Sequence, residues 1–208
     1  GFCGERGGEA LAEILAGEVN PSGKLSETFP LCLEDTPSYG TLNTPLVSRY
    51  EEGLDVGYRY YDSCGIPVAF PFGHGLSYSD FEYYGLKAAA KGEQVKVSFS
   101  LKNVSACDGK EVCQLYIRPL NAYVYRPEQE LKAFAKQEVK AGKTVKAAFT
   151  LTAADFAYYS TAKDGWTTDD GFYEIRVGAS SRDIRLKALI KIADGKFEFV
   201  KEVPVVER

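Results

Sequence analysis

The chain has 208 residues, 45% hydrophobic and 26% charged, which gives enough apolar surface for one large domain, or one domain and part of another. Its net charge is −4 and its basic residues are scattered, which argues against nucleic acid or an anionic membrane as a partner. No apolar run approaches the roughly 20 residues that cross a bilayer.

The first segment reads as loop, helix, turn and strand. In GGEALAEILAGEV, Ala10, Leu11, Ile14 and Leu15 share one helical face, and Gly17 suits a left-handed C-terminal cap. NPSG (20–23) places proline second in a turn. KLSETF (24–29) alternates Leu25, Glu27 and Phe29 and predicts a strand closed by Pro30. Helix, turn and strand are the rhythm of an α/β layer, but one of each cannot bury both faces. Residues 1–30 therefore read as the end of such a layer, of marginal stability alone. The chain lacks methionine and opens in mid-pattern, as a piece of a longer polypeptide does.

Residues 31–80 form a long, irregular connection rich in proline, glycine and aromatic residues. Tyr50, Tyr58, Tyr60, Tyr61, Phe70, Phe72 and Tyr78 predict that it packs against a surface rather than hanging free. From residue 81 the period becomes two. Val95, Val97, Phe99 and Leu101 form one inward face; Cys113, Leu115 and Ile117 form the next; Val145 to Leu151, Tyr173 to Val177 and Ile184 to Ile190 follow. About seven strands over 81–193 make the fold class mainly β, a fibronectin type III-like or immunoglobulin-like sandwich. Trp166 is expected to plug one end of its core. Residues 194–208 read as an extra edge strand or an ordered extension.

The chemical motifs are weak. GFCGERGG (1–8) leads into a helix, yet lacks the spacing of a phosphate cradle and reads as a plain junction. His74, the single histidine, sits between glycines with no local nucleophile or orienting group and is assigned to packing. Glu51, Glu52 and Asp55 are candidate carboxylates, but Arg49 and Arg59 lie close and make ion pairing the default. Five cysteines (Cys3, Cys32, Cys64, Cys107, Cys113) include no C-x-x-C pair, and one histidine cannot complete a zinc set. They read as free thiols, with one bridge such as Cys107–Cys113 left open. They point to a cytoplasmic compartment, with secretion the alternative. No cofactor and no metal are expected.

Taken together, several stretches resemble glycoside hydrolase family 3. GGEALAEILAGEVNPSGKLSETFP is similar to the end of its α/β-sandwich domain. YEEGLDVGYRYYDSCGIPVAFPFGHGLSYSDFEY is similar to the join that follows. GKEVCQLYIRP, YRPEQELKAFAKQEVKAGKT and GWTTDDGFYEIRVGASSRDIRL resemble the fibronectin type III-like domain ending many of its β-glucosidases. Val68-Ala69 stand where bulkier residues are common, and the tail after Ile192 has no counterpart. The resemblance implies partners: a TIM-like barrel carrying an aspartate nucleophile in a Ser-Asp-Trp-like signature, and an α/β sandwich carrying the acid/base glutamate upstream of Gly7–Gly8. It implies removal of β-linked sugars with retention. Ser79-Asp80-Phe81 imitates that signature by letter, but no buried parallel strand precedes it. Asp80 is expected at the surface, beside the first strand of the β domain. No catalytic, cofactor-binding or metal residue is therefore assigned to this chain, whose expected role is a brace. The rival is a β-sandwich module binding carbohydrate or protein through Tyr123, Tyr125, Tyr158 and Tyr159.

Overall fold

Alternation builds two sheets. The computed structural model describes residues 3–41, 46–47, 49–91 and 93–200. In chain order the elements are α1 (Gly7–Leu15), β1 (Phe29–Pro30), a 3-10 turn (Leu33–Asp35), α2 (Tyr58–Ser63), β2 (Val68–Phe70), β3 (Phe81–Lys91), β4 (Gln94–Asn103), β5 (Gly109–Pro119), β6 (Glu130–Val139), β7 (Thr144–Thr152), α3 (Ala153–Phe156), β8 (Tyr158–Ser160), β9 (Gly165–Thr167), β10 (Gly171–Gly178), β11 (Ile184–Ala193) and β12 (Lys196–Val200). The opening Gly1-Phe2, Pro45 and residues 201–208 lie outside the described residues.

One sheet has the order β3-β4-β7 and the other β12-β11-β10-β5-β6. Their inner faces make the core. Across β4 and β7, Val95 pairs with Leu151, Val97 with Phe149 and Phe99 with Ala147. Opposite them stand Leu115 with Val177 and Ile117 with Ile175, from β5 and β10. All of these are buried in one cluster that also takes in Ile190, Ile192 and Phe197. This is the predicted mainly β sandwich. The tail supplies β12, an edge strand registered on β11 from Leu189–Val200 to Ala193–Lys196.

Trp166 does not plug the core: it is 76% exposed. It sits on the β8–β9 hairpin, paired with Tyr159 and turned outward from the sandwich. The end of the core is closed by Phe156 instead, which is fully buried between Tyr173 and Phe197, at ring distances of 5.3 and 5.2 Å. The one-turn α3 aims it there, held by a reciprocal cap in which the Thr152 amide donates to the Asp155 carboxylate and the Thr152 hydroxyl oxygen accepts from the Asp155 amide.

The N-terminal segment is thinner than predicted. α1 forms, and Gly17 (φ +78°) caps it with its amide on the Ile14 carbonyl. Its apolar face finds no cover: Leu11 is 57% and Leu15 75% exposed. The strand predicted over 24–29 shrinks to β1, paired with β2. Leu25 gains only two backbone bonds, from its amide to the His74 carbonyl and from the Gly73 amide to its own carbonyl, both 2.8 Å. Alternation is satisfied only where a neighbour strand lies alongside, and here the neighbour is a strap rather than a sheet.

Candidate functional site

Polar side chains gather at several places, and two of them adjoin segments singled out in the sequence. The first is the joint between residues 14–30 and the sandwich. Asn20 ties three segments: its amide nitrogen donates to Ser79 Oγ and the Asp108 carbonyl, both at 2.9 Å, and its amide oxygen accepts from Ser77 Oγ and the Tyr78 amide, both at 2.9 Å. Lys24 Nζ lies 3.1 Å from Glu111 on β5, and Tyr83 on β3 donates to the same carboxylate at 2.9 Å. Burial raises the Tyr83 phenol well above its usual value, so it stays a donor.

The strap FPFGHGLSY closes over this joint. Tyr58 of α2 stacks on Phe72 at 4.6 Å and meets Tyr116 edge-on at 6.0 Å. Gln114 donates to the carbonyls of Gly73 (3.1 Å) and Ala179 (2.7 Å) and accepts from Tyr116 (2.6 Å). Backbone runs too close here for side chains. A Cβ on Gly75 would fall 2.3 Å from the Gly23 carbonyl oxygen. Gly75→Ala is therefore expected to lower stability by about 1–3 kcal/mol in urea unfolding. Gly8→Ala, with nothing within 4 Å of the new Cβ, should leave it unchanged or slightly raised.

The candidate acids do not assemble. Glu51 is exposed and pairs with Arg49 at 3.8 Å, as expected for an ion pair. Arg59 goes elsewhere, to Glu130 at 3.3 Å. Asp55 accepts the Tyr125 hydroxyl at 2.5 Å. Asp80 is exposed at the start of β3, its amide on Ser105 Oγ. The His74 ring lies 5.2 Å from Phe70, as packing predicts. The five cysteines are unbridged. Burial pushes the Cys113 thiol up to about 12, which leaves it protonated and inert at neutral pH. Among the described residues no cluster of three or more His, Cys, Asp or Glu is placed to hold a metal, and no helix is long and apolar enough to cross a membrane.

The second place is a cleft of about 660 Å³ between the β8–β9 hairpin, the 124–132 segment and the connection at Leu54 and Arg59. Tyr125, Tyr158, Tyr159 and Trp166 line it; Tyr123 does not. Each of the three tyrosine hydroxyls donates to a carboxylate: Tyr125 to Asp55, Tyr158 to Asp169 at 3.1 Å and Tyr159 to Asp164 at 2.5 Å. At the floor, Arg126, Arg59 and Lys132 converge on Glu130 at 2.9, 3.3 and 3.5 Å. Burial works to raise the Glu130 carboxyl, but the Arg126 hydrogen bond and the surrounding cations outweigh it and hold it below its ordinary value. Arg126 also lies 5.3 Å over the Tyr158 ring. The spacing of residues gave no sign of this convergence. Its only trace was the density of tyrosine around 123–125 and 158–159.

The class defined by this fold is a fibronectin type III-like sandwich fastened to a short helical segment and an aromatic strap. Residues 111–181 match the fibronectin type III-like domain, and residues 1–78 match the glycosyl hydrolase family 3 C-terminal domain. Over residues 1–78 the chain matches the C-terminal domain of glycosyl hydrolase family 3, and it is similar to the C-terminal part of beta-glucosidases of that family. It is 47% identical over 196 residues to thermostable beta-glucosidase B of Acetivibrio thermocellus, covering 91% of this chain and 26% of that protein. It is 42% identical over 206 residues to an exo-alpha-(1->6)-L-arabinopyranosidase of Bifidobacterium longum, covering 97% of this chain and 27% of that one. Among solved structures, the GH3 beta-glucosidase of Bifidobacterium adolescentis superposes with a TM-score of 0.85 at 40% identity, over 89% of this chain and 28% of that one. Beta-glucosidase 3B of Thermotoga neapolitana gives 0.85 at 39%, over 92% and 27%. The chain thus spans about a quarter of the length of the relatives it matches.

Proposed function

We propose that this chain serves a retaining β-glycosidase, β-glucosidase-like, as the part that braces its catalytic layers. Nucleophile and acid/base then lie on polypeptide other than this chain, in a barrel and the remainder of the α/β sandwich. The whole enzyme takes a β-linked oligosaccharide or glycoside, and the unbridged thiols of this chain support a cytoplasmic compartment. The observation that carries this reading is the joint. Asn20, Lys24 and the strap are cross-tied to the sandwich, while the opposite face, with Leu11 and Leu15 of α1, lies bare. A bare apolar helix face beside a fastened joint is what an interrupted layer presents. Positioning of two carboxyls dominates glycoside hydrolysis, and a displacement of about 1 Å costs about 10²-fold, so a stiff support has catalytic value without chemistry of its own.

The test is an aryl β-glucoside assay on the 208-residue chain and on the same chain joined to a family 3 barrel and α/β sandwich. Turnover is expected only in the joined protein, and Glu51→Gln or Glu52→Gln should leave that turnover intact. Hydrolysis by the chain alone, abolished by either substitution, would overturn the reading.

A further inference from the structure

We propose that the cleft beside the β8–β9 hairpin binds a neutral oligosaccharide chain, laid against Trp166 and Tyr159. That the chain is β-linked rests on the function proposed above; the binding itself rests on the cleft.

Three properties of the cleft lead there. The first is exposed, oriented aromatic surface. Trp166 is 76% exposed on a hairpin outside the core and meets Tyr159 edge-on at 6.0 Å. The two rings offer faces at an angle, and the C–H face of a pyranose is the apolar surface that such rings accept. The second is rigidity. Tyr125, Tyr158 and Tyr159 are each tethered through their hydroxyl to an aspartate. Rings already held in place lose little freedom on binding. Asp164 and Asp169 flank β9 and hold Tyr159 and Tyr158 within the hairpin, while Asp55 holds Tyr125 from 70 positions away, so hairpin and connection together fix the rings.

The third property is charge balance. Arg59, Arg126 and Lys132 are folded onto Glu130, and the tyrosines face Asp55, Asp164 and Asp169. Cations and carboxylates nearly cancel, and the cations are already engaged. An acidic sugar would have to break those pairs, and a cationic ligand would meet Arg126 and Arg59. A neutral ligand rich in hydroxyls fits instead, with Ser160 and Thr161 on the rim to bond it. The volume, about 660 Å³, is that of an ordinary small-ligand site.

Trp166 is the only tryptophan in the chain, so its fluorescence reports on the cleft directly. Titration of the 208-residue chain with cellotetraose or xylotetraose should change that fluorescence saturably, with a Kd in the millimolar range or tighter. Tyr159→Ala should weaken binding at least about tenfold. Trp166→Phe, followed by calorimetry, should retain weaker binding, because a ring remains. Both side chains are half-exposed or more, so the thermal midpoint of each variant should stay near that of the parent and separates lost contact from lost fold. No saturable change up to the solubility limit of either sugar would overturn the proposal. So would affinity unchanged in Tyr159→Ala, or tighter binding of an oligogalacturonate. No turnover is involved: a joined enzyme that hydrolyses the aryl glucoside while the chain fails to bind sinks this inference alone.

Discussion

Lys24→Met should lower the stability of the chain by about 3–5 kcal/mol. Lys24 and Glu111 have side chains only 14% and 7% exposed, and the substitution strands a carboxylate whose other ligand is the neutral Tyr83 hydroxyl. The double variant Lys24→Met/Glu111→Gln should regain most of the loss, because the amide can still accept from Tyr83 without a charge to solvate. Urea unfolding of the single and double variants measures both quantities. Hydrogen exchange should locate the damage, with the amides of Leu25 and Gly73 losing protection before those of β5 and β10. A single-variant loss below about 1 kcal/mol would mean that water reaches the pair as it does at a surface.

Phe156→Ala should cost about 3–5 kcal/mol, through lost transfer energy and a cavity that its neighbours cannot fill. Tyr173 and Phe197 are the walls of that cavity, and both are fixed: Tyr173 by its hydroxyl on the Asp169 carbonyl at 2.8 Å, Phe197 by its pairing to Ile192. The thermal midpoint should fall by about 10 °C for a domain of this size. Trp166→Ala, by contrast, should leave the midpoint nearly unchanged, because that ring closes no core. Differential scanning calorimetry on the two variants distinguishes the plug from the ornament. A large drop in Trp166→Ala and a small one in Phe156→Ala would reverse the assignment.

That pair marks where the sequence is legible and where it is not. The sandwich was readable because strand faces alternate with a period of two, and Val95 to Leu101 or Tyr173 to Val177 carry that period without interruption. The helix was readable for the same reason at 3.6 residues. Trp166 was misread because size and apolarity suggest burial, whereas its side is decided by the β8–β9 pairing, which the turn-like composition of KDGWTTDDG conceals. The strand at 24–29 was overdrawn because alternation describes a surface awaiting a neighbour, and only β2 arrived. The joint was half legible. NPSG announced a turn, and FPFGHGLSY announced aromatic packing with glycine at close approaches. That Asn20 would gather Ser77, Tyr78, Ser79 and Asp108 was not readable, since these partners stand 57 to 88 positions away and no local period links them. The cleft was invisible for the same reason: Asp55 and Tyr125 meet across 70 positions.

The long reach of these ties has a consequence for synthesis. The strap is sealed by the turn after β10, through the Ser181 amide on the Phe72 carbonyl and Arg182 on Asp62, the latter 120 positions upstream. A ribosome adding about 5–20 residues per second therefore keeps the nascent strap, with Phe70 and Phe72, waiting about 5–25 s before the turn that seals it has been made. During that interval the segment is the part of the newborn chain that a chaperone would hold.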